Sequence, residues 1–79
     1  MKFKVKDYRA NKQMLIAGLR RCPGKDPIEV AGEVAVYTYC PLIAMYTFLG
    51  EIQGMTPELE KRISDLVKFY GITEVINEN

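Results

Sequence analysis

PIEVAGEVAVYTYCPLIAMYTFLGEIQ, running from Pro27 to Gln53, is the stretch that decides the fold. No charged side chain interrupts Val34 to Gly50, although 27% of the whole chain is charged, so this run must supply most of the interior. It opens like a helix. Asp26 is placed to accept from free amides as N-cap, Pro27 suits the first helical position, and Glu29 falls where a capping box takes an acid. Gly32 and the β-branched Val30, Val34, Val36 and Thr38 pull the other way, toward a strand buried on both faces. Helix is the favoured reading from Pro27, with Glu33 to Cys40 left open between helix and strand.

Pro41 lacks an amide hydrogen and clashes with a preceding helical turn, so it either kinks one long helix or separates two. Leu42 to Gln53 reads as a helix in its own right. Leu42, Met45, Tyr46, Leu49 and Ile52 fall on one side, and Gly54 can close it in a left-handed cap. A single rod over Pro27 to Gln53 would be roughly 40 Å long at 1.5 Å per residue. A compact chain of 79 residues is only about 30 Å across. The rod must therefore fold back at Pro41, or part of it must be covered by another chain.

Outward from this centre the elements are short. Lys2-Phe3-Lys4-Val5-Lys6 alternates with period two, which puts two apolar side chains on one face of a strand and three lysines on the other. Asp7 or Asn11 can cap a following helix that reaches about Arg21, with Met14, Leu15, Gly18, Leu19 and Cys22 at helical spacing. Cys22-Pro23-Gly24-Lys25 is a turn. Beyond the centre, Thr56 caps a helix with Pro57 at its first position. Leu59, Ile63, Leu66, Val67 and Tyr70 form its stripe, and Gly71 ends it. Ile72 to Ile76 is rich in β-branched residues and suits a strand whose partner is Lys2 to Lys6; Glu74 or Glu78 would then meet a lysine across the ladder. The sequence thus predicts one small, mainly α domain of about four helices, with short terminal strands that can pair.

The chemistry of the chain excludes more than it offers. There is no histidine, no paired Cys-x-x-Cys and no phosphate-binding glycine loop, so neither a metal, a cofactor nor a catalytic centre is expected. Cys22 and Cys40 fall at opposite ends of a predicted helical hairpin, out of disulfide reach, which fits two reduced thiols in a cytoplasmic protein. The start, MKFKVKDYR, has charges where a signal peptide is apolar, and the uncharged run carries Pro41 and three tyrosines, so a membrane partner is not expected.

Two surfaces remain as candidates for function. Tyr37, Tyr39, Met45, Tyr46 and Phe48 are more aromatic and methionine surface than a core this small can hide, which points to a protein interface and to a homodimer. On this reading the chain is a regulator, an inhibitor of the kind a phage or other mobile element encodes, or an accessory subunit. The alternative is a dimeric DNA-binding repressor, because strand, helix, turn and helix is the element order of a ribbon-helix-helix protein. Lys2, Lys4 and Lys6 would then enter the groove, with Arg9 and Lys25 on the backbone. The charge is uneven in the same sense. Residues 1–33 hold eight basic and four acidic side chains, a surplus of +4, whereas residues 34–79 hold three and six, a balance of −3.

Overall fold

The computed structural model describes residues 1–78. In chain order they form β1 (Lys2–Val5), α1 (Tyr8–Arg21), α2 (Pro27–Thr38), α3 (Leu42–Gln53), α4 (Pro57–Tyr70) and β2 (Glu74–Asn77). The protein is mainly α, with two short strands drawn from the ends of the described chain.

α2 resolves the ambiguity in favour of helix. Asp26 Oδ1 accepts from the Ile28 amide at 3.0 Å, and Pro27 occupies the first turn. Val30, Ala31, Val34 and Ala35 then bury one side of the helix, and that packing outweighs the β preference of the valines. The helix stops at Thr38. Tyr39 turns left-handed (φ 56°, ψ 25°), and Pro41, extended at φ −58° and ψ 141°, starts α3. The centre is therefore two helices that fold against each other, and the molecule measures 35 × 28 × 20 Å with a radius of gyration of 11.9 Å.

α3 is the hub of the core. The expected stripe is too narrow for it: Ile43, Ala44 and Phe48 are buried as well as Met45, Tyr46 and Leu49, because α1, α2, α4 and the sheet surround this helix. Gly54 ends α3 at φ 93° and ψ 148°, an extended conformation of positive φ rather than the expected left-handed helical one. α1 approaches α2 closely at Gly18, where a Cβ would lie 3.0 Å from Val34 Cγ2.

α4 begins and ends as its sequence indicates. Thr56 Oγ1 accepts from the Leu59 amide at 3.2 Å, and Gly71 closes the helix left-handed at φ 63°. Tyr70, assigned to the inner stripe by spacing, is exposed instead; it lies in the last turn, edge-on to the still more exposed Phe69.

β1 and β2 pair in parallel, with Lys2 opposite Glu74 and Val5 opposite Asn77. The expected meeting of a glutamate with a lysine occurs at both acids, Glu74 with Lys2 at 3.7 Å and Glu78 with Lys4 at 3.8 Å. The start of α1 is held differently from expectation. Asp7 is itself left-handed and its side chain caps nothing. The Tyr8 amide donates instead to the Glu78 carbonyl at 2.9 Å, and Asn11 Nδ2 donates to the Lys6 carbonyl, so the far end of the chain finishes the first helix. Among the described residues no helix is long and apolar enough to cross a membrane.

Candidate protein-binding surface

The five aromatic and methionine residues proposed as one surface divide into two groups. Met45, Tyr46 and Phe48 are buried on α3, so they form the interior of this chain rather than its surface. The reason is the position of α3: a helix covered from several sides needs large side chains around most of its circumference. Tyr37 and Tyr39 lie outside, 81% and 95% exposed, and Val36 joins them at 77%.

These three residues mark the C-terminal end of α2. Along that helix Glu29, Gly32 and Val36 recur at i, i+3 and i+7, and Tyr39 continues the row just past the helix end. A shallow groove of about 540 Å³ runs beside this row, lined by Gly32, Ala35, Val36, Tyr39, Pro41 and Leu42. On its other side Tyr39 borders a second groove of about 290 Å³, where Lys4, Lys6, Asp7 and Asn11 face Thr38 and Pro41. Tyr39 therefore stands on a ridge between an apolar groove and a polar one. Tyr37 points to a third hollow, of about 410 Å³, together with Met14, Arg21 and Cys22 between α1 and α2.

The backbone at Tyr39 is unusual. The Ala35 carbonyl accepts from both the Tyr39 and the Cys40 amides, the Cys40 bond being 3.1 Å long, and this closure requires the left-handed conformation. Glycine is the ordinary residue there, because a Cβ in that conformation costs about 1 kcal/mol or more. Tyrosine adds that cost and, at 95% exposure, recovers almost none of it through packing.

The lysine strand is differently placed. Lys2 is engaged by Glu74 of β2 and Lys4 by Glu78 just past it, Lys25 is paired with Glu33, and Lys6 and Arg9 are exposed with no ion pair among the described residues. β1 is joined to this chain's own β2 in parallel. A ribbon-helix-helix protein instead pairs its strand with a second chain. Near the start of α2, Asp26 and Glu29 present carboxylates where that reading places a phosphate.

The most tightly connected titratable group lies elsewhere. Tyr8 Oη donates to Glu51 Oε2 at 2.5 Å, and Lys12 Nζ reaches the same oxygen at 2.9 Å while standing 5.7 Å from the centre of the Tyr8 ring. The hydrogen bond to Glu51, followed by burial, raises the Tyr8 phenol above its ordinary range; the same bond, with Lys12, lowers the Glu51 carboxyl. The Tyr8 ring packs edge-on to Phe48, with ring centres 5.0 Å apart. No cavity opens at this cluster among the grooves described, and its geometry is that of a clamp between α1 and α3. Burial pushes the Cys40 thiol upward as well, away from reactivity.

Sequence reasoning missed Gly32, Val36 and Leu42. The signal was present in the i, i+3, i+7 row, but it becomes legible only once Glu33 to Cys40 is known to be helical. Compared with known proteins, the chain matches no family model, and no curated protein or solved structure matches it.

Proposed function

We propose that this chain is a small non-enzymatic protein-binding module, a regulator, inhibitor or accessory subunit, whose contact surface is the C-terminal end of α2 with Tyr39 as its anchor. One observation carries the reading: a tyrosine occupies a left-handed helix end where glycine is favoured, and its side chain is 95% exposed. A residue that costs stability without packing inside its own chain is accounted for by what it touches outside. Tyrosine suits that role, since it offers a large rigid apolar face and a hydroxyl at a small entropic cost. Val36 and Tyr37 extend the same surface, and the adjoining grooves give a partner side chains somewhere to enter. The reading places the protein in the cytoplasm, where Cys22 and Cys40 remain thiols. Among small binding proteins, an inhibitor carried by a phage or other mobile element fits this size.

A photo-crosslinking amino acid at position 39, and the same group at the exposed Ser64 on α4 as control, tests the proposal in cells that express the chain. A discrete covalent adduct from position 39 and none from position 64 is the expected result. Equal, diffuse labelling from both positions removes the assignment.

A further inference from the structure

Resting on that reading, we infer that the occupant of the α2 surface is a second copy of this chain, bound across a two-fold axis with the two α2 helices antiparallel. The pattern along the exposed row is the argument. Glu29 stands at one end, Gly32 and Val36 in the middle, Tyr39 at the other end, and Lys6 borders Tyr39 in the polar groove, beside Asp7 and beside Lys4, which Glu78 engages. A two-fold interface brings residue i onto j and j onto i, so a patch with Glu29 at one end, apolar residues at its centre and Lys6, which has no ion pair among the described residues, at the other end complements itself. Rotation about an axis near Gly32 and Val36 sets Glu29 of each copy against Lys6 and Tyr39 of the other. A foreign acidic partner would require the basic end alone.

Gly32 supports the same arrangement. It lies inside a helix, where glycine is disfavoured, yet a Cβ built there meets nothing within 4 Å. Packing within the chain therefore does not call for glycine. Close approach of another helix does, and it leaves the partner's Val36 a flat place to lie. Opposed helix dipoles are favourable in this orientation. The area is also sufficient. Tyr39 and Val36 offer on the order of 350 Å², and Leu42, Pro41 and the charged ends extend the patch toward the roughly 800 Å² that each side of a stable interface contributes.

Sedimentation equilibrium of the full chain tests this, with circular dichroism to check the fold of each variant. The wild type is expected to sediment at twice its 9.0 kDa mass at about 100 μM. Glu29→Lys and Lys6→Glu should each weaken the dimer at least tenfold, and mixing the two variants should restore it, because the mixed pair regains opposite charges at both contacts. Gly32→Ala should weaken association while raising the melting temperature of the dilute chain, which keeps the test sharp if a charge variant fails to fold. A monomeric wild type overturns the inference, and so does a dimer that none of these variants weakens or a mixture that does not recover. If position 39 crosslinks to a different protein while the chain stays monomeric, the second copy is ruled out and the binding-module reading stands; if it captures nothing, both fall.

Discussion

Tyr8 donates its phenolic hydrogen to Glu51 across 2.5 Å, which ties the first residue of α1 to the last turn of α3. The bond sets a pH window. Glu51 titrates lower in the folded chain than in the unfolded one, so its contribution is complete above the unfolded carboxyl's pKa of about 4.3 and is lost as pH falls through the lower folded value. Tyr8 titrates higher when folded, so its contribution is complete below about pH 10 and is lost as pH rises through the raised value. Tyr8→Phe keeps the ring on Phe48 and removes the bond. Urea unfolding should find it about 0.5–1 kcal/mol less stable at pH 7, with the gap to wild type shrinking at pH 3 and at pH 11. A gap independent of pH would mean that the clamp does not hold in solution.

Met45 and Phe48 lie inside, so removing their side chains should harm the fold itself. Phe48→Ala is expected to cost about 3–5 kcal/mol and Met45→Ala about 2–5 kcal/mol. A domain of this size has a total stability of only about 4–12 kcal/mol. Loss of cooperative melting in Phe48→Ala is the expected observation. A folded Phe48→Ala whose only defect is in binding would place the ring at an interface.

Three backbone positions separate the requirements of folding from those of contact. Tyr39→Gly relieves the left-handed conformation and should stabilise the isolated chain by about 1 kcal/mol. Gly32→Ala fills open space in a helix and should stabilise it by about 0.5–1 kcal/mol. Gly18→Ala has the same propensity gain, but its methyl meets Val34 and Val30 at 3.0 and 3.3 Å, so it should be neutral or destabilising. Thermal melts at low concentration read all three. Stabilisation by Gly18→Ala equal to that by Gly32→Ala would contradict the close approach of α1 and α2.

The two thiols should react at different rates. Cys22 is half-buried, whereas Cys40 is buried and its thiol is held in the neutral form. Maleimide labelling of the native chain near pH 7.5, followed by mass mapping, should modify Cys22 well before Cys40. Equal rates would indicate that the turn after α2 opens readily.

Local signals carried most of the fold. Asp26 with Pro27 and Thr56 with Pro57 announced two helix starts, and the lysine alternation of β1 with Glu74 and Glu78 anticipated which ends meet. What stayed hidden depends on contacts between distant residues. The β-branched residues of α2 suit either structure until the side opposite them is known to be covered, and nothing near Tyr8 reveals that its amide bonds to Glu78. The candidate surface was half legible for the same reason. Tyr37, Tyr39, Tyr46 and Phe48 look alike along the sequence, and only the fold-back at Pro41 assigns two outward and two inward.

The parallel pairing of β1 with β2 also governs how the molecule bears a load. Met1 lies at the leading end of one strand and Glu78 beyond the trailing end of the other, so tension between them slides the strands lengthwise and strains every ladder bond at once. An antiparallel pair pulled from neighbouring ends would instead unzip one bond at a time. This small helical body is thus latched by a shear joint, and its interior feels an external pull only after that joint breaks.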